Sequence, residues 1–173
     1  TATRRLVDAA RKINPRVIVA TTRQTPPGAR PLYFKAVLVG GGHVHRQSLS
    51  DKILVFDNHL AFLDIQHVGN AVERLLNNSI EGSVGVEVST LEDAIEAVKA
   101  GASYIQFEKI SPEILSAWVR ELRARSRDVI IGAAGGINSE NIELYASTDV
   151  DVIVTSAPYK GPPIDVTTRM SRI

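Results

Sequence analysis

The sequence has no cysteine among its 173 residues. That absence excludes a disulfide framework, a thiolate nucleophile and a cysteine-based zinc site, and it suits a cytoplasmic enzyme. An excess of one charge is also lacking, since 20 Lys and Arg stand against 19 Asp and Glu, a formal net charge of +1. Cations scattered among almost as many acids exclude a nucleic-acid-binding stripe and an electrostatic membrane patch. No run of residues approaches the length of a membrane span, and no secretion signal is visible. Linkers, low-complexity tracts and fixed-period repeats are missing as well. What remains is a chain that is 44% hydrophobic, long enough for a single domain over 1–173 with a sizeable core.

Helical and strand patterns alternate along that chain. Leu6, Ala9, Ala10 and Ile13 recur at helical spacing and stop at Asn14-Pro15. Val17 to Thr22 is a β-branched run, and Pro31 to Val39 reads as a helix opened by its proline. Ile53 to Phe56 is a short buried strand, with Asp57 and Asn58 able to cap a turn or helix through Leu63. A helical period over His67 to Leu76 precedes a strand at Val84 to Val88. Thr90 and Asp93 form a capping pair for a helix closed by Gly101. Strands at Tyr104 to Phe107, Val129 to Ala133 and Val152 to Thr155 flank helices from Ser111 to Arg125 and from Ser139 to Ala146. Six strands alternating with helices call for crossovers and a mostly parallel sheet.

In parallel α/β proteins, chemistry gathers at the carboxyl ends of the strands. Here those ends present Arg23 and Gln24, Asp57 and Asn58, Glu87, Glu108 and Lys109, Gly135 and Gly136, and Ser156 and Ala157. Arg23 offers a planar fork to a carboxylate or phosphate, and His45 and Arg46 add donors after the glycine run 40–42. Those glycines let the backbone turn or approach a ligand, but a helix stop and loop needs the same residues. The segment Ala134-Gly135-Gly136-Ile137-Asn138 lies between strand and helix, so backbone N–H groups and the helix dipole suit a phosphate, with Ser156 and Ala157 completing the clasp. A plain tight turn is the other reading of Gly135-Gly136. Glu87 and Glu108 suit ribose hydroxyls or a magnesium ion, or else pair with a rim lysine. His43 and His45 lack a third metal ligand at a diagnostic spacing, and Trp118 reads as core.

The order Thr22-Arg23, Pro27-Gly28, Lys35-Ala36-Val37, Gly40-Gly41-Gly42, His45-Arg46, Leu49-Ser50-Asp51 and Asp57-Asn58-His59 resembles the quinolinate phosphoribosyltransferases, or nicotinate-nucleotide pyrophosphorylases. The similarity runs on through Glu87, Ala134-Gly135-Gly136-Ile137 and Tyr145-Ala146. It is closer to the ModD group related to molybdenum utilisation, at Ala20-Thr21-Thr22-Arg23, Leu54-Val55-Phe56, Ala133 to Asn138, Thr155 to Tyr159, Pro162-Pro163 and Asp165-Val166. The resemblance implies an incomplete, open-sided parallel α/β barrel, the C-terminal domain of a type II phosphoribosyltransferase, with the family's N-terminal domain not in this chain. It implies a pentosyltransferase joining a small heterocyclic acid to phosphoribosyl diphosphate with release of pyrophosphate, assisted by magnesium, in a homodimer or higher homo-oligomer. On that basis Arg23, His45, Arg46, Glu87 and Glu108 are the expected catalytic group. Thr22, Gln24, Lys35, Phe56 and Asp57 are the expected substrate contacts, and Gly135, Gly136, Asn138, Ser156 and Ala157 the expected phosphate contacts.

Four positions depart from the family pattern. Gln24 and Phe56 stand where it carries lysines, Gly85 replaces the first glutamate of a Glu-Val-Glu run, and Glu108 replaces an aspartate. Two cations are lost where a diacid and a diphosphate would meet, which points to a ModD-like enzyme with an acceptor other than quinolinate. A non-catalytic oxyanion binder linked to molybdate and a degenerate structural domain are the competing readings.

Overall fold

The computed structural model describes residues 1–48, 51–63, 67–78, 82–161, 165 and 167–171. Leu49, Ser50, Pro162, Pro163 and Val166, which carry part of the resemblance, lie outside the described residues.

Helix α1 (Ala2–Ile13) leads into β1 (Ile18–Thr21), α2 (Arg30–Val39) and the two-residue β2 (His43–Val44). Then come β3 (Ile53–Val55), α3 (Asp57–Leu63), α4 (Val68–Asn77), β4 (Val84–Val88) and α5 (Leu91–Lys99). The chain continues through β5 (Tyr104–Glu108), α6 (Pro112–Arg125), β6 (Ile130–Ala134), α7 (Ile142–Ala146) and β7 (Val152–Thr155), and a 3-10 turn at Ala157–Tyr159 follows. The anticipated Thr90–Asp93 cap forms, with the Thr90 hydroxyl accepting from the Asp93 N–H at 3.1 Å and donating to the Asp93 carboxylate at 2.6 Å, whereas Asp57 and Asn58 are the first residues of α3 itself.

All six strands read from the sequence are present, and β2 adds a seventh by pairing with β1. Two residues are too few to show an apolar period, so β2 exists only through its partner. The seven strands among the described residues are all parallel, in the order β2-β1-β7-β6-β5-β4-β3. The sheet is strongly curled. His45, just beyond β2, lies 3.1 Å from the Tyr104 hydroxyl of β5, although β1, β7 and β6 separate their strands. In a flat sheet four strand spacings would hold them about 19 Å apart. The edges also approach each other, because the Arg46 guanidinium after β2 sits 5.4 Å from the Phe56 ring after β3. The result is an open α/β half-barrel.

Side chains alternate across each strand, so the curl sorts them. On β5, Ile105 and Phe107 are buried among the helices, and Phe107 packs on Trp118 with ring centroids 5.5 Å apart. On β4, Val84, Val86 and Val88 do the same, joined by Leu115, Val119 and Leu122 of α6. Burying a side chain of this size stabilises by roughly 1.5–3 kcal/mol. The other face of β5 carries Tyr104, Gln106 and Glu108, which turn toward the hollow of the half-barrel.

The glycine run 40–42 serves the packing of α1. A Cβ on Gly40 or Gly42 would come within 2.7 Å of the Thr3 side chain, so the β2 approach lies flush against the start of that helix. The helix stop is therefore the reading that holds here, and none of the three glycines meets the cavity described below.

Candidate active site

The hollow opens at the carboxyl ends of the strands as a cavity of about 870 Å³. Arg23, His45, Arg46, Glu87 and Glu108 all line it, together with Thr22, Gln24, Phe56, Gly135, Gly136, Asn138, Ser156 and Ala157. Arg46 and Gly135, 89 positions apart by their residue numbers, thus share one rim. Lys35 and Asp57 do not line it. Lys35 is exposed in the middle of α2, and Asp57 is exposed as the first residue of α3, where its carboxylate suits the helix dipole. Asp57 still acts through space, since its charge helps to raise the pKa of Glu87.

Sequence reading missed Arg30, Gln106 and Lys160 as lining residues. Arg30 and Lys160 restore two cations to a rim that lacks lysines at 24 and 56, one from the start of α2 and the other just after the 3-10 turn. Neither position ends a strand, so the strand-end rule passes over both. Gln106 lies inside a strand, and only the curl turns it toward the hollow.

One half of the site is cationic. Burial and, after it, the neighbouring Arg23 guanidinium make the charge of Arg46 less favourable, and Glu87, Asp51 and Tyr104 only partly offset this. Neither Arg23 nor Arg46 forms an ion pair among the described residues. Two convergent guanidiniums with that balance favour an incoming anion. Phe56 supplies a flat apolar wall under Arg46, and its backbone N–H donates to His59 Nδ1 at 3.1 Å. His45 is held neutral, its pKa lowered to about 4 by burial first and then by Arg46 and Lys52.

The other half is made of backbone. Gly135 has φ +88° and Gly136 has φ +72°, so both sit in the left-handed region that favours glycine. A Cβ on Gly135 would lie 2.5 Å from Lys109 Cγ, whereas one on Gly136 would meet nothing within 4 Å and would occupy the cavity mouth. Lys109 itself has φ +57°, a costly state for a lysine at the end of β5. Thr155 ties the two loops together: its hydroxyl donates to the Ile137 carbonyl at 2.5 Å and accepts from the Ala157 N–H at 3.0 Å. The helix-dipole part of the expectation does not survive. The helix begins at Ile142 rather than Ser139 and has five residues, and the Asn138 N–H is taken by Asn141 Oδ1 at 2.8 Å. Asn138 therefore shapes the loop, leaving the glycine backbone and the Ser156 hydroxyl as donors for a ligand.

Glu87 and Glu108 line the same cavity. Burial raises the pKa of Glu87 most; the hydrogen bond from Gln106 opposes this, while Glu108 and Asp57 add repulsion. Glu108 lies 3.5 Å from Lys109. The pairing with a rim lysine is thus present at Glu108, and both acids line the cavity.

The chain is thus an α/β half-barrel of parallel strands whose carboxyl-end rim gathers cations, two glycine and small-residue loops and two acids around one cavity. The family described as quinolinate phosphoribosyl transferase, C-terminal domain, matches residues 1–169, and the chain belongs to that family. A relative from Archaeoglobus fulgidus named as a carboxylating nicotinate-nucleotide pyrophosphorylase is 39% identical over 98% of this chain and 66% of its own length. A pyrophosphorylase of Pasteurella multocida named ModD is 34% identical over 95% of this chain and 58% of its own. The solved nicotinate-nucleotide pyrophosphorylase of Francisella tularensis superposes with a TM-score of 0.83 at 29% identity, covering 93% of this chain and 55% of that one. The chain thus spans between about half and two thirds of the length of these relatives. Among the described residues no helix is long and apolar enough to cross a membrane.

Proposed function

We propose that the protein carrying this chain is a phosphoribosyltransferase of the nicotinate-nucleotide pyrophosphorylase and ModD type. It joins a small heterocyclic acid to phosphoribosyl diphosphate and releases pyrophosphate. The observation that carries this reading is the shared cavity, which Arg23, Arg46, the Gly135-Gly136 and Ser156-Ala157 loops, Glu87 and Glu108 all line. In the reaction a ring nitrogen lone pair forms a bond to the anomeric carbon as the carbon–oxygen bond to pyrophosphate breaks, and that electron pair leaves with pyrophosphate. Little proton transfer is needed, so positioning and charge carry the rate. The glycine loops hold the 5-phosphate, the arginines hold the acceptor's acid group, and Arg30, Lys109 and Lys160 face the departing charge.

Glu87 and Glu108 suit a magnesium ion entering with the diphosphate, because Glu87 feels the repulsion of Glu108 and Asp57 and a hard cation would relieve it. That ion would neutralise charge on the leaving group. Phe56 and Gln24, in place of lysines, favour a flatter and less anionic acceptor than quinolinate. A cytoplasmic setting and a homodimer or higher homo-oligomer belong to the same proposal, as do small molecules as the only substrates. The test is pyrophosphate release by the full-length protein across a panel of pyridine acids and other heterocycles. Release is expected only when phosphoribosyl diphosphate, magnesium and the right acceptor are all present, with quinolinate a poor acceptor. Rapid turnover with quinolinate would overturn the ModD-like reading.

A further inference from the structure

A hydrogen-bonded chain crosses the hollow below the cavity. Gln106 Nε2 donates to Glu87 Oε2 at 2.5 Å, Tyr104 Oη donates to Gln106 Oε1 at 3.0 Å, and His45 Nε2 lies 3.1 Å from Tyr104 Oη. Glu87 and Gln106 are register partners on β4 and β5, so the first link is set by the sheet itself. Two glycines make room for the tyrosine. A Cβ on Gly85 would be 2.9 Å from Tyr104 Cδ1, and one on Gly132 would be 2.2 Å from its hydroxyl. Gly85, a departure from the family pattern at the sequence level, is thus the space that Tyr104 fills. Burial pushes the phenol far above its ordinary pKa, so it remains an O–H at any working pH.

The direction of the chain follows from counting protons. An ionised Glu87 can only accept, so Gln106 turns its NH₂ to the carboxylate and its carbonyl to Tyr104. The phenol has a single proton, which that carbonyl takes. Its oxygen must then accept from His45.

We propose that Tyr104 is a positioning residue that fixes the proton of His45 on Nε2, leaving Nδ1 as an acceptor for a hydrogen bond from the acceptor heterocycle. An unprotonated Nδ1 repels a carboxylate and attracts an N–H or O–H. The acceptor therefore carries one acid group for the arginines and a donor beside it, in place of the second carboxylate of a diacid. This specificity rests on the transferase reading, whereas the tautomer does not.

The experiment is ¹⁵N NMR of the imidazole nitrogens in full-length protein without substrates at neutral pH, with the His45 signal assigned by its loss in His45→Gln. Nε2 is expected to carry the proton and Nδ1 to be bare. In Tyr104→Phe, which keeps the ring that Gly85 and Gly132 accommodate, the preference for Nε2–H falls by about two- to tenfold, the worth of one hydrogen bond. A merely space-filling tyrosine would leave the tautomer unchanged. A proton on Nδ1 in the wild type, or an unaltered ratio in Tyr104→Phe, overturns the proposal; the wild-type spectrum alone decides if the variant does not fold. In the pyrophosphate assay, heterocyclic acids with an N–H or O–H beside the carboxylate are expected to exceed quinolinate by at least about tenfold, a discrimination within reach of a site that accepts a hydrogen bond from a substrate N–H or O–H. Quinolinate matching them overturns the specificity. Silence with every acceptor removes the transferase reading and leaves the tautomer result standing.

Discussion

The two faces of β5 are made from alternate residues of one five-residue strand and behave as different materials. Ile105 and Phe107 face the helices with 0% and 1% exposure and hold the sheet to α6. Tyr104, Gln106 and Glu108 face the hollow, and the first two form a polar chain to His45 and Glu87. A closed eight-stranded barrel fills its interior with packed apolar side chains. Here the open half-barrel keeps most of the apolar core on the outer side, with Leu54 and Val154 among the few buried apolar residues that reach the cavity, which frees the inner side for chemistry. Stability and function are therefore separable by side-chain parity along a strand.

That separation can be broken from either face. Phe107→Ala on the outer face should cost about 3–5 kcal/mol in a denaturant titration, through lost burial and the cavity left against Trp118. A loss under about 1 kcal/mol would mean the core is not where the packing puts it. On the inner face, Arg46→Ala should lower pyrophosphate release by about 100- to 1000-fold, because it removes a preorganised cation. Its effect on stability should stay near the cation–π contact with Phe56, about 0.5–1 kcal/mol. Unfolding in place of inactivation would erase the distinction between the faces.

A pH titration sharpens the comparison further, because one inner group does affect stability. His45 has a folded pKa of about 4, below its ordinary 6.5, so the unfolded chain binds the proton more readily. Its contribution is complete above pH 6.5 and is lost as pH falls from 6.5 to 4, by roughly 2–3 kcal/mol for a partly exposed ring. His45→Gln should flatten that part of the stability profile. An unchanged slope would mean that His45 is protonated in the folded protein.

How much of this was legible depended on distance along the chain. Local signals read well: the Thr90 and Asp93 cap, the proline openings of α2 and α6, and the strand ends at Arg23, Glu87 and Gly135 all follow from a few neighbouring residues. What failed was whatever depended on the curl. Tyr104 and Gln106 sit inside a strand and gain meaning only when β2 is brought across to β5. The glycine run 40–42 reads equally as ligand loop or helix stop, and the answer lies with Thr3, 37 to 39 positions earlier. Arg30 and Lys160 enter the cavity from a helix start and a terminal turn, where a sequence gives a cation no direction. The resemblance to a known family supplied the open-sided barrel, which alternation alone would have left as any parallel sheet.

The central claim is that the inner face holds the phosphorylated substrate at the glycine loops, in the cavity they share with the arginines. Calorimetric titration of phosphoribosyl diphosphate into the full-length protein and its Gly136→Val variant tests it most directly. A β-branched side chain at φ +72° strains the loop and fills the mouth where backbone N–H groups would meet a phosphate. The account expects affinity to fall by at least about tenfold, the loss of more than one neutral hydrogen bond to the ligand, while the thermal transition persists. Equal affinity in the two proteins would place the phosphate elsewhere and contradict the shared site.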